Sequence, residues 1–358
     1  MNLFLYVMMV GTGGFGCAYE MFFGKTNRWL LFSTGFLFVL TACSRIGNAF
    51  DYSDLVQYIL YFMEDNDAYF EPGYVFLTDV IKWTVGYHPV ALVAFISLWV
   101  FMLALLSETI CSRYMGIDEE MECSYYPSTF FLLLIVYWGC CFSCEVLRNG
   151  LAIPLIFCAA AFLINEKYWM ALLITAIAVL FHYSSVIFIP GIIIMAAIRE
   201  LKKDWFLYWF FTLIVLDIVI SFFFSFEIPI VSGLFDMMEE LEELSHFNAY
   251  KNAEVEGYFT TQYITYHVFG LLMLWGNLED KRYNSAVMLY FIGLSLGTLF
   301  QTTIIVMRIQ WMFLPMVVFV LYYYLRDNQQ EEVKKQIVLV SYCFIQSIMA
   351  LRYLGWHV

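Results

Sequence analysis

From Pro89 to Ser107 the chain carries no Asp, Glu, Lys or Arg, and uninterrupted apolar runs of this kind recur along most of its length. About 20 such residues in a helix reach across the ~30 Å hydrocarbon core of a bilayer. The runs fall at 2–20, 29–43, 88–110, 127–144, 149–165, 168–181, 184–198, 205–226, 262–277, 284–300, 309–325 and 336–354. They predict about twelve transmembrane helices, several short enough to need tilt or local thinning. A shorter stretch, 73–86, is interrupted by Asp79 and Lys82 and reads as a half-crossing, re-entrant helix. Continuous runs are not the short alternating segments of an outer-membrane barrel. Composition agrees: 62% apolar and 14% charged, against about 45–50% and about 25% in soluble domains. A soluble fold cannot hide that much apolar surface, and a disordered chain would not carry it. With 18 Lys+Arg against 31 Asp+Glu, no nucleic-acid partner is expected. The expectation is an all-α polytopic membrane protein, one transmembrane domain over residues 1–358.

Lys and Arg in short loops orient such a protein. Lys25 with Arg28, Arg199 with Lys202 and Lys203, Lys281 with Arg282, and Arg326 with Lys334 and Lys335 all become cytoplasmic if both termini face outward. Two acidic loops, about 44–71 and 227–261, then lie outside. Residues 236–261 carry apolar positions at helical spacing between acids, which suits an amphipathic helix at the outer surface. Met1–Tyr6 has no basic region and no cleavage site follows, so the first run is expected to be a retained span. Of nine cysteines almost all lie inside apolar runs, and they read as packing residues.

Gly11-Thr-Gly13-Gly14-Phe-Gly16 matches G-x-G-x-x-G, yet it follows no strand and lies in a span. Close helix packing through small residues explains it better than nucleotide binding. Ionisable groups near hydrocarbon are expensive, so each marks a functional hypothesis. Four clusters stand at span boundaries: Ser44-Arg45 to Asp51-Tyr52; Tyr69-Phe-Glu71-Pro-Gly-Tyr74; Glu145-Val-Leu-Arg148-Asn149-Gly150; and Phe181-His182-Tyr183-Ser184-Ser185, joined late in the chain by Arg308. Each has a plainer explanation. Glu145 and Arg148, at i and i+3, would neutralise each other on one helix face; Arg45 would snorkel to head groups; Ser184 or Ser185 would cap a helix that begins after His182. Jointly the pattern says more. Arg45, Arg148 and Arg308 gather at the outer boundary, and guanidinium pairs with phosphate in a bidentate fork.

The run Arg45-Ile-Gly-Asn-Ala-Phe-Asp51-Tyr52-Ser-Asp54…Tyr58, then Glu71-Pro-Gly-Tyr74, Leu147-Arg148-Asn-Gly-Leu-Ala152 and Leu180-Phe-His182-Tyr-Ser-Ser185 resemble, in order and spacing, the signatures of the EpsG-like family. These are Wzy-type polymerases of exopolysaccharide, capsule and O-antigen repeat units. The resemblance implies a fold related to the GT-C glycosyltransferases. It implies transfer of a growing glycan between undecaprenyl-diphosphate carriers at the outer face of the bacterial inner membrane, with a chain-length regulator as a possible partner. On that reading Arg148, Arg308 and Arg45 hold the diphosphate without a metal or other cofactor. His182, Glu71 and Asp51 are the candidate bases, His182 first because its ordinary pKa lies near working pH. Tyr52, Tyr74 and Tyr183 are candidate sugar-stacking rings. A lipid-linked oligosaccharide flippase or transporter stays open, as does an O-antigen ligase or polyprenyl-phosphate-sugar transferase.

Overall fold

A backbone in hydrocarbon must satisfy its own N–H and C=O groups, and helices do this within one segment. The computed structural model describes residues 1–46, 54–64, 70–118, 126–223, 261–299, 310–327 and 330–354, and every regular element among them is helical. In chain order these are α1 (Leu3–Phe23), α2 (Arg28–Cys43), α3 (Asp54–Glu64), α4 (Pro72–Val85), α5 (Pro89–Asp118), α6 (Pro127–Leu134), α7 (Cys140–Cys144), α8 (Leu147–Ile164), α9 (Tyr168–Phe181), α10 (Phe188–Ala197), α11 (Lys203–Phe223), α12 (Thr261–Met273), α13 (Lys281–Leu299), α14 (Val317–Arg326) and α15 (Glu332–Tyr353).

Four helical stretches among the described residues are long and apolar enough to cross a membrane: Pro89–Arg113, Pro127–Cys144, Leu147–Ile164 and Glu332–Tyr353. Shorter apolar helices accompany them, including Arg28–Cys43 and Tyr168–Phe181. At 1.5 Å per residue α4 rises only about 21 Å, short of a full crossing. Apolar side chains face outward as well as inward: Trp29, Trp83 and Trp169 are each more than 80% exposed. An aqueous surface would not leave them so, but lipid does.

The described residues form two compact units, Met1–Ile192 with Leu321–Val358, and Ile193–Val320. In the first, α8 and the stretch from α6 to α7 are the core, each about nine-tenths buried; α1, α2, α5, α9 and α15 pack around them. A π-helical turn, Ile135–Gly139, separates α6 from α7. Tyr6 donates its hydroxyl to the Val136 carbonyl in this turn at 2.7 Å, and Tyr342 donates to that of Leu133 at 3.0 Å. Both hydroxyls thereby find acceptors in a buried setting. The glycine motif packs as expected on one face: Gly13 and Gly16 are buried against Leu132 and Ser128, whereas Gly11 and Gly14 face open space. In the second unit α11, α12 and α13 are joined by Trp209 Nε1 donating to Ser295 Oγ at 2.8 Å and Tyr290 donating to the Tyr266 carbonyl at 2.8 Å.

Two close approaches in the first unit bring helix ends together. A Cβ on Gly73 would lie 2.7 Å from the Leu180 carbonyl oxygen, so only glycine lets the first turn of α4 rest on the last turn of α9. A Cβ on Gly150 would lie 2.6 Å from the Phe142 carbonyl and 2.7 Å from Ile96, so glycine also lets α8 start beside α7 and α5. Gly150→Ala is expected to destabilise the protein by about 1–3 kcal/mol, the usual scale of overpacking. Gly14→Ala, with nothing within 4 Å of its new methyl, should leave the thermal unfolding midpoint in detergent unchanged.

Candidate active site

The described parts of the four ionisable clusters read from the sequence fall at helix ends. α7 ends at Cys144, Glu145 leaves helical geometry (φ −137°), and its N–H and that of Val146 both donate to the Cys141 carbonyl. α8 restarts at Leu147. This break corrects the expectation that Glu145 and Arg148 neutralise each other along one helix. They are not on one helix, and each pairs elsewhere. Glu145 receives Arg45 Nη2 at 3.0 Å, and Arg148 Nη1 reaches Glu71 Oε2 at 2.9 Å. Arg45 is 2% exposed, so it is a buried partner of Glu145 and does not snorkel.

His182 ends α9 in an extended conformation (φ −159°, ψ 114°), and a 3₁₀ turn over Tyr183–Ile187 follows. The break falls where the sequence placed it, but the cap differs from the expected Ser184 or Ser185 hydroxyl. The His182 carbonyl starts the turn by accepting the Ser185 N–H at 3.0 Å. Gly73 brings the loop ahead of α4 to this break, and Glu71 lies between the two helix ends.

Glu71 is therefore the junction of the site. Its Oε1 takes His182 Nδ1 at 3.0 Å and the Tyr183 N–H at 3.3 Å, while its Oε2 takes Arg148. The carboxyl is 3% exposed. Burial alone would raise its pKa; the His182 hydrogen bond and the Arg148 charge outweigh burial and hold it at about 2, below the ordinary 4.5. A carboxylate so engaged is a weak base. It fixes His182 with the proton on Nδ1, a tautomer assigned from this geometry, and leaves Nε2 as the basic nitrogen.

Arg148 is held on more than one side. Its Nε donates to the Tyr58 hydroxyl at 3.1 Å, and its guanidinium carbon lies 5.5 Å from the centre of the Tyr58 ring and 5.0 Å from that of Phe70. These are cation–π distances. Among the described residues its Nη2 has no partner, and 18% of the side chain stays exposed. Such a clamp presents one edge of a guanidinium without freedom to reorient. Tyr74, expected as a sugar-stacking ring, is instead fully buried against Tyr58, Tyr61 and Phe70. Its ring backs the clamp and offers no open face. Tyr183 is half-buried beside Glu71. Asp51, Tyr52 and Arg308 lie outside the described residues.

Sequence reading did not single out Tyr58 and Phe70 as parts of the site. Tyr58 ends the family-like run and Phe70 sits in the Glu71 cluster, but in a chain that is 20% aromatic only their packing on Arg148 gives them a role. A second buried pair, in the other unit, joins Asp217 Oδ2 to His267 Nε2 at 3.2 Å. Asp217 reads as deep from its apolar flanks in the sequence; nothing local points to His267 as its partner.

Fold and site together describe a polytopic helical membrane protein that carries a buried arginine–carboxylate–histidine cluster where several of its helices end. The chain belongs to the EpsG family, whose family model matches residues 28–356. EpsG-like proteins are Wzy-type polymerases, and membership makes this a polysaccharide polymerase-type membrane protein. No curated protein and no solved structure matches it.

Glu71→Gln tests the junction. It removes the charge that faces buried Arg148, a change that typically costs roughly 3–5 kcal/mol. Because the native carboxyl sits near 2 and the unfolded one near 4.5, its contribution is complete above the unfolded value and is lost as pH falls through the folded one. The gap in unfolding midpoint between wild type and Glu71→Gln should close as pH falls from about 4 to about 2.

Proposed function

We propose that this protein lengthens a glycan by transferring it from one undecaprenyl-diphosphate carrier to a repeat unit on another. In this reading the site faces the exterior of the bacterial inner membrane and belongs to a GT-C-like fold. The observation that carries the reading is the sharing of Glu71 by Arg148 and His182. One carboxylate orders a fixed cation and a fixed imidazole on neighbouring helix ends, and the transfer needs both.

The donor's C1–O bond to diphosphate breaks as the acceptor hydroxyl forms a new C–O bond at C1. The acceptor proton goes to His182 Nε2, within the ordinary logic of general base catalysis. The undecaprenyl diphosphate leaves with its bond electrons, and the exposed edge of the Arg148 guanidinium stabilises that growing charge. The clamp of Tyr58 and Phe70 orders the guanidinium before the substrate arrives, which lowers the entropic cost of positioning. Glu71 is a positioning residue that acts through His182 and Arg148. Arg308 is a proposed second diphosphate cation, Asp51 an alternative candidate base, and Tyr52 and Tyr183 are proposed sugar-stacking rings. Arg45 is locked to Glu145. A chain-length regulator is the proposed protein partner.

The test incubates purified protein with undecaprenyl-diphosphate repeat units and resolves the products on a gel. A ladder supports the polymerase; a single addition points to a ligase or single-sugar transferase; translocation without product points to a flippase. Arg148→Ala should abolish the ladder while the folded protein stays in the membrane fraction. His182→Ala should lose turnover with donor binding intact, and wild-type rates in that variant would remove His182 as the base. EDTA should not slow the reaction if arginine alone carries the charge; loss of activity restored by a divalent ion would overturn that assignment.

A further inference from the structure

α1 links two polar regions of the first unit. At its start the Asn2 N–H donates to Ser44 Oγ, one residue from Arg45. At its other end Glu20 meets the start of α6. Along α1 Asn2 and Glu20 are separated by about 27 Å, close to a membrane thickness. The cluster around Arg148 lies at the first end, because α2 and α7 finish there and α8 begins there. The second end has a different set of groups.

There the Glu20 carboxylate, fully buried, accepts the Ser128 and Thr129 N–H groups at 2.8 Å each and the Thr129 hydroxyl at 2.9 Å. It caps α6 from another helix. Glu108 Oε1 accepts the Tyr126 N–H at 2.9 Å and the hydroxyls of Ser112 and Tyr322 at 2.6 Å each. Beside these groups is a cavity of about 120 Å³, lined by Tyr126, Thr129, Arg326, Glu332 and Lys335 among others. Neither Glu20 nor Glu108 lines it.

The two cations on its wall have only indirect or solvated counter-charges: Glu108 faces Arg326 through the shared Ser112 and Tyr322 hydroxyls, and Glu332 meets Lys335. Arg326 Nη1 donates to the neutral hydroxyls of Tyr322 at 2.8 Å and Ser112 at 3.1 Å, its guanidinium lies over the rings of Tyr126 and Tyr322, and no carboxylate of the described residues touches it. Lys335 has a side chain only 5% exposed, and its one partner among the described residues is Glu332, at 2.8 Å and 65% exposed. A buried ammonium whose only counter-ion is solvated leaves much of its desolvation cost uncovered. Arginine and lysine lining one cavity are phosphate-recognising chemistry. At roughly 30 Å³ per water the volume corresponds to about four waters, enough for a tetrahedral oxyanion.

We propose that the Arg326–Lys335 cavity binds a phosphate group, carried by an anionic lipid headgroup or by a free phosphate, at the membrane face opposite the Arg148 cluster. Binding draws Lys335 from Glu332 onto the phosphate, with Arg326 as the second contact. The site does not depend on the polymerase reading.

The test is thermal unfolding of the purified protein in neutral maltoside detergent. It is titrated separately with inorganic phosphate and with short-chain phosphatidylglycerol, with phosphatidylcholine as the zwitterionic control. A ligand that binds only the folded state raises the midpoint in a saturable way. Wild type should show that rise with phosphate or phosphatidylglycerol and not with phosphatidylcholine. Lys335→Gln should weaken the apparent affinity about tenfold. Glu332→Gln, which removes the competing carboxylate at an exposed position, should tighten it severalfold. A rise with phosphatidylglycerol that phosphate cannot displace identifies a headgroup, and a rise with phosphate alone identifies a free ligand. No saturable rise with either probe, or equal rises in the wild type and Glu332→Gln, would overturn the proposal even if Lys335→Gln failed to fold.

Discussion

A carboxylate withdrawn from water survives as an anion only if donors surround it, and Glu71 has three: a guanidinium, an imidazole and a backbone N–H. That requirement organises much of the first unit near the site. The donors come from two helix ends, Arg148 from the start of α8 and His182 with Tyr183 from the end of α9, so satisfying Glu71 draws these and the residues ahead of α4 to one place. The interaction runs in both directions. Arg148 and His182 keep fixed orientations because Glu71 holds them, and Glu71 stays ionised because they do.

The helix breaks supply the geometry. Irregular backbone at membrane depth is tolerated where protein buries it or a cavity receives it. Glu145 and His182 occupy such breaks, and the freed backbone groups are taken up locally, by the Cys141 carbonyl in one case and by the Ser185 N–H in the other. Gly73 and Gly150 let backbone approach backbone where a methyl would collide. The far end of the unit applies the same physics to another purpose. Glu20 and Glu108 satisfy the N–H groups at the start of α6, and Arg326 and Lys335 line the cavity beside them with no buried carboxylate of the described residues in direct contact.

The EpsG family match covers residues 28–356 and so includes Glu71, Arg148 and His182, and the fold places Arg148 and His182 each within hydrogen-bonding distance of Glu71. The aromatic residues play two roles that composition cannot separate. Trp29, Trp83 and Trp169 face outward to lipid, while Tyr58 and Phe70 grip a guanidinium.

Membrane class and helical content were readable from the apolar runs alone, because hydrocarbon leaves a spanning backbone few alternatives. The glycine spacing in α1, the interruption at His182 and the importance of Arg148 and Glu71 were also legible, since small, helix-breaking and ionisable residues are conspicuous in an apolar chain. Who pairs with whom was not. Spacing along one helix suggested Glu145 with Arg148, yet a two-residue break turned them toward Arg45 and Glu71. Asp217 was visible and His267 was not; Tyr74 looked like an open ring and is enclosed. Local sequence sets which groups are costly to bury, and only the packing of distant helices decides which of them neutralise one another.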